Sequence, residues 1–162
     1  MHKVLILGAG KIGALISGLL AESGDYEVTL GDVDSRAAEA VVKAHGSRAL
    51  RAVALDASDP KALDQHFVTF KPHAVISSLP YYCNPEVARA ARKGNAHYFD
   101  LTEDVAVTQG VRRIARGASK AFVPQCGLAP GFISIAANER SEERRVGKEC
   151  MPVCRSRWSP YH

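Results

Sequence analysis

Val4-Leu5-Ile6-Leu7-Gly8-Ala9-Gly10-Lys11-Ile12-Gly13 reads as a buried strand that turns sharply into a helix. Four consecutive branched apolar residues fit a strand covered on both faces. The three glycines are then spaced GxGxxG. Gly8 permits the tight turn, Gly10 lets a diphosphate approach the backbone, and Gly13 lets the helix pack close to the strand. Ala9, Lys11 and Ile12 fill the intervening places. The unpaired N–H groups of the helix's first turn, at its positive dipole end, would hold the phosphates. A glycine turn alone can serve packing only. Here Asp32 follows the second strand, 19 residues after Gly13, where an acid accepts hydrogen bonds from the adenosine ribose hydroxyls. Together the two features point to a dinucleotide.

Outward from this turn the chain alternates short apolar runs with helical stretches. Val4–Leu7, Val28–Leu30, Leu50–Leu55, Ala74–Ile76, His97–Leu101 and Ala121–Val123 are expected strands. Between them helices are expected at Ile12–Ser23, Arg36–His45, Pro60–Phe70, Pro85–Lys93 and Asp104–Ala118. Asp59 before Pro60 and Asn84 before Pro85 each place a cap acceptor ahead of a proline at the first helical position. Gly24, Gly46, Gly94 and Gly117 fall near helix ends. This alternation implies an α/β fold: a doubly wound, Rossmann-type parallel sheet of six strands.

Composition excludes other classes. Apolar residues are 46% of the 162 and charged residues 23%, as in a globular domain rather than a disordered chain. Lys11 and Glu22 interrupt the most apolar stretch, so no membrane span is expected. No metal-ligand spacing occurs among His45, His66, His73 and His97. The expected domain is 1–139, because composition changes abruptly at Arg140. Residues 140–162 carry nine charges in 23 places and no apolar period. The strings RSEERRVGKEC and RSRWSPYH resemble the translation of a short-read sequencing adapter, so 140–162 is expected to be a non-native, unstructured tail. Without it the formal charge falls from +4 to +1, with 15 basic against 14 acidic residues. The basic balance is then no argument for nucleic acid. Cys83 and Cys126 remain, in a chain without an export signal, and a cytoplasmic location is expected. Pro130–Glu139 reads as the opening of an amphipathic helix whose pattern then stops. A natural frame that continues into something missing here is therefore expected.

Further candidates lie at the carboxyl ends of the strands, where ligands collect in doubly wound sheets. A carboxylate at position 32 favours NAD, while Arg36 can serve the 2′-phosphate of NADP instead. Asp34 is assigned to capping the following helix. Asp56-Ala57 ends the third strand, placing Asp56 either at the adenine amino group or in a turn bonding its own backbone. Ser78-Leu79-Pro80 ends the fourth strand, across the switch point from the first. Tyr81 and Tyr82 beside it either line the nicotinamide pocket or cover the sheet edge. Asp100 and Cys126 are candidates for the wall of a substrate pocket. Cys126 has no obvious base near it in sequence that would activate it as a nucleophile.

VLILGAGKIG, LGDVD, ALDASDP, ISSLPYYCN, HYFDLTED and PQCGLAPGF, in this order, resemble the nucleotide-binding domain of the saccharopine dehydrogenase and lysine dehydrogenase family over Met1 to Asn138. The resemblance implies NAD(P)-dependent oxidation or reduction at a carbon–nitrogen bond of a lysine-derived amino acid. It also implies cofactor contacts at Gly8–Gly13, Asp32, Asp56-Ala57 and Ser78-Leu79-Pro80, a second, substrate-binding domain after the Ala129-Pro130-Gly131 loop that is missing here, a small amino-acid substrate for a longer parent protein, and a homodimer. The alternative is a standalone, non-catalytic dinucleotide-sensing module.

Overall fold

The computed structural model describes residues 1–146. Six parallel strands, β1 (His2–Leu7), β2 (Tyr26–Asp32), β3 (Leu50–Ala54), β4 (Ala74–Ser77), β5 (His97–Asp100) and β6 (Phe122–Val123), form one sheet in the order β3-β2-β1-β4-β5-β6. They are joined by α1 (Lys11–Glu22), α2 (Ser35–His45), α3 (Pro60–Phe70), α4 (Asn84–Lys93) and α5 (Val105–Ala115). The expected doubly wound sheet is the one found. Its direction reverses between β1 and β4, which makes that gap the switch point.

Parallel neighbours need crossovers, and right-handed crossovers put helices on opposite faces according to the direction of travel. Side-chain alternation in β1 serves both faces. Val4 and Ile6 join Val28, Leu30, Ala21 of α1 and Ala38 of α2 in one core cluster. Leu5 and Leu7 join Leu63 and Phe67 of α3, Val87 of α4 and Val111 of α5 in the other. That double burial is why β1 reads as an unbroken apolar run. Along α1, Ile12, Leu15 and Leu19 stay more than half exposed.

Local signals set the helix starts. Asp34, Asp59 and Asp104 accept from the backbone N–H of Arg36, Lys61 and Val107 and so cap α2, α3 and α5. Asn84 does not cap α4 as expected. Its side chain turns inward and accepts from the buried Ser77 Oγ at 2.7 Å, leaving α4 without a side-chain cap. A π-helical turn, Leu128–Phe132, leads into α6 (Ile133–Val146). The backbone of α6 thus runs past the compositional break expected to start an unstructured tail at Arg140, and the remainder of that tail, 147–162, lies outside the described residues. Among the described residues no helix is long and apolar enough to cross a membrane.

His66 is half-buried on α3 beside Phe70. Its Nε2 has no hydrogen-bond partner among the described residues, and burial holds its pKa below the ordinary 6.5. Between that lowered value and 6.5 the unfolded chain binds more protons than the native one, so this residue makes stability rise with pH. Acidification through that window is expected to lower the urea midpoint of the protein more than that of His66→Leu. Equal losses in the two proteins would refute the assignment.

Candidate functional site

The site begins where β1 ends. Gly8 has φ +100°, a conformation that side chains disfavour, and its N–H donates to Gly31 O at 2.8 Å across to β2. A Cβ on Gly13 would stand 1.8 Å from Gly8 O. Helix α1 therefore leaves the sheet at a distance only glycine allows. At Gly10 an added Cβ meets nothing within 4 Å, so this side of the turn is open. Helix α1, like α4, starts without a side-chain cap, and it lacks the first-turn acid that α4 carries at Glu86: Gly10 provides no side-chain bond. The N–H groups of Lys11, Ile12 and Gly13 are thus available, with the exposed Lys11 ammonium beside them.

Asp32 closes the turn from the β2 side. Its Oδ2 accepts from Ala9 N–H at 2.6 Å and its Oδ1 from Asp34 N–H at 2.9 Å. A carboxylate has about four lone-pair positions, so the half-exposed group keeps acceptor capacity after both bonds. From β4, Ser78 Oγ lies 3.0 Å from Leu7 O and 3.1 Å from Gly8 O, pinning the turn across the switch point. Leu79 packs against the core beneath, while Pro80 is exposed. Sequence reading placed Ser78 here but missed this lock, because the hydroxyl's partners lie 70 and 71 residues away.

The other candidates fall as follows. Asp56 is exposed, and its Oδ1 accepts from Ser58 N–H at 2.8 Å and Ser58 Oγ at 2.6 Å. Those bonds hold its pKa below the ordinary value of 3.8. This is the turn arrangement, and the carboxylate remains charged at the mouth of the sheet. Ala57 is buried in the core behind it. Tyr81 and Tyr82 form an exposed edge-to-face pair with ring centres 5.8 Å apart. The strand they follow, β4, lies between β1 and β5 inside the sheet and not at either edge.

Asp100 is fully buried, so it lines no pocket among the described residues. Its carboxylate accepts from Tyr98 OH at 2.7 Å, Thr102 N–H at 3.0 Å and Gln125 N–H at 3.1 Å. Burial, then the Asp100 charge, pushes the Tyr98 hydroxyl far above its ordinary range. Cys126 is exposed as a residue, yet its sulfur turns inward and the thiol donates to Asp100 O at 3.0 Å. Burial of the sulfur and the same carboxylate raise its pKa, and burial with the Asp56 charge raises that of Cys83. Both are thiols at neutral pH, unsuited to nucleophilic attack.

An open glycine turn with free helix amides, an acid at the end of β2 and a switch point between β1 and β4 define a dinucleotide-binding domain. A family model, the saccharopine dehydrogenase NADP-binding domain, matches residues 4–125. The chain belongs to this family and is an NAD(P)-binding domain of the saccharopine dehydrogenase type. It is 29% identical over 143 residues to the saccharopine dehydrogenase (NADP+, L-glutamate-forming) of Saccharomyces cerevisiae, covering 86% of this chain and 30% of that protein. The solved apo structure of L-Glu-forming saccharopine dehydrogenase from the same yeast superposes with a TM-score of 0.77 at 26% identity, over 91% of this chain and 32% of the other. A putative myo-inositol dehydrogenase from Sinorhizobium meliloti gives a TM-score of 0.66 at 17% identity, over 91% of this chain and 43% of the other, a likeness of fold. The chain spans about a third of the length of its saccharopine dehydrogenase relatives.

Proposed function

We propose that the chain supplies the cofactor half of an oxidoreductase that transfers a hydride at the carbon–nitrogen bond of a lysine-derived amino acid, and that NAD is preferred over NADP. The carrying observation is the glycine turn held by Asp32 and Ser78 and left open at Gly10. In this reading the amides of Lys11, Ile12 and Gly13 bind the diphosphate, Asp32 binds the adenosine ribose, and Asp56 and Ser78–Pro80 border the adenine and nicotinamide sides. When bound, the cofactor supplies hydride acceptance or donation, and the protein supplies position and electrostatics.

The preference for NAD rests on charge. A 2′-phosphate would meet Asp32 directly and Asp34 just beyond it. The cation that would answer it, Arg36, lies 3.6 Å from the Asp34 carboxylate, so its charge is already shared. This differs from the yeast relative, whose name specifies NADP+. Titration by fluorescence is expected to show tighter binding of NADH than of NADPH. Asp32→Ala is expected to weaken NADH about 10- to 100-fold, the loss of charge-assisted hydrogen bonds to the ribose, and to narrow the difference between the two. Tighter binding of NADPH by the unaltered chain would overturn the preference.

Leu128, Phe132, Ile133 and Ile135 are exposed at the start of α6, as are Ile12, Leu15 and Leu19 along α1. Exposed apolar side chains grouped at the start of α6 mark a contact face, which supports a part of a larger enzyme over a standalone sensor. The free thiols Cys83 and Cys126 support a reducing, cytoplasmic setting.

A further inference from the structure

A second cleft, of about 460 Å³, opens at the end of the sheet opposite the glycine turn. It lies where the C-termini of α3 and α4 meet the segment leading into β6. Buried Phe67 and Ala90 form its floor, and Val68 on α3 borders it while 69% exposed. Gly94 makes the floor possible, since a Cβ there would stand 2.6 Å from Phe67 Cδ1. Lys71, Lys93 and Lys120 surround this apolar surface. The acid in the lining, Asp64, pairs with Lys93, and Lys71 and Lys120 have no carboxylate partner among the described residues. Asn95 Oδ1 accepts from Ser119 Oγ at 2.8 Å, leaving the Asn95 amide nitrogen as the end free to donate.

Lysines at helix C-termini commonly offset the helix dipole, which accounts for Lys71 and Lys93. It does not account for Lys120, which belongs to neither helix, nor for an exposed valine among the three. Cations around an apolar floor, in a volume within the roughly 300–1,000 Å³ that small-molecule sites occupy, match an amphiphilic anion. We propose that this cleft binds a small organic carboxylate with an aliphatic or aromatic body. Its charge lies against Lys71 and Lys120, and its hydrocarbon against Val68 and Phe67. The site is separate from the dinucleotide turn by the length of the strands and does not depend on how that turn is read.

The test is an amide-resolved NMR titration of the whole chain with 4-phenylbutyrate, using inorganic phosphate and sodium chloride at matched ionic strength as controls. Saturable shifts are expected at Val68, Lys71, Gly94, Asn95 and Lys120 and not at Gly8–Gly13, with millimolar affinity for a probe of this size. Lys120→Glu is expected to raise the dissociation constant about tenfold or more, from loss and reversal of a charge-assisted contact. Val68→Ser, on an exposed face, is expected to weaken phenylbutyrate while leaving the spectrum that of the same fold. Shifts that stay linear, that cluster elsewhere, that persist unchanged in Lys120→Glu, or that phosphate reproduces with equal affinity would overturn the proposal. Because NADH shifts are read at the glycine turn in the same spectra, failure of one site is distinguishable from failure of the other.

Discussion

Gly13→Ala is expected to unfold or nearly unfold the domain, although it adds one methyl group. The added Cβ would stand 1.8 Å from Gly8 O and 2.8 Å from Ser78 Oγ. The serine can rotate away, but the carbonyl belongs to the turn that Gly8 N–H anchors to Gly31 O. Relief requires α1 to leave β1, and the buried Ala21 and the half-buried Ile16 and Leu20 lie along that interface. Overpacking in a core costs about 1–3 kcal/mol when side chains can shift. A clash with fixed backbone exceeds that range and consumes much of the roughly 5–15 kcal/mol that holds a domain together. Gly10→Val provides the contrast. Nothing lies within 4 Å of its Cβ, so its urea midpoint is expected to stay near that of the unaltered chain while the NADH fluorescence response disappears. If Gly13→Ala melts like the parent, the close approach of helix and strand is not real. If Gly10→Val binds NADH normally, the open side of the turn is not the diphosphate site.

These contrasting glycines show what was legible in the residues and what was not. Both lie in one motif, and its spacing located the turn, the first helix and the acid at Asp32 from chain positions alone. Local chemistry carried further: Asp59-Pro60 starts α3 at the expected residue, and Asp34 caps α2 as assigned. The same reasoning failed at Asn84-Pro85, where a buried hydroxyl on β4 competes for the side chain that would have capped α4. Long-range partners also decide the strand ends. β1 starts at His2 and β2 at Tyr26 because those two residues pair with each other, not because either is apolar. At the site, residue type made Asp32 a ribose ligand but could not show that the same carboxylate already holds Ala9 N–H. Asp100 looked like a pocket acid because acids cluster after β5. The contrary signal was its spacing of two from Tyr98, which puts both side chains on one face of the strand.

That pair supports the second large effect. Asp100→Ala is expected to cost about 3–5 kcal/mol, because several donors lose a charged acceptor and each orphaned buried donor costs roughly 1–3 kcal/mol. Three donors would lose their acceptor inside the protein: Tyr98 OH, Thr102 N–H and Gln125 N–H. Each orphaned donor carries its own desolvation penalty, so the loss exceeds that of an exposed carboxylate. Asp100→Asn separates charge from shape. Its amide keeps one acceptor oxygen and directs donors toward groups that themselves donate, so it is expected to recover only part of the stability. The bond from Gln125 also ties the end of β5 to the segment after β6, the one through which the thiol of Cys126 reaches Asp100 O. Losing it frees the approach to Leu128–Phe132. Reaction of Cys126 with a thiol reagent is therefore expected to accelerate in Asp100→Ala under native conditions, at a urea concentration well below the variant's midpoint. Stability within about 1 kcal/mol of the parent, too little for even one orphaned buried donor, together with unchanged thiol reactivity, would show that Asp100 is not the clamp holding this end of the sheet together.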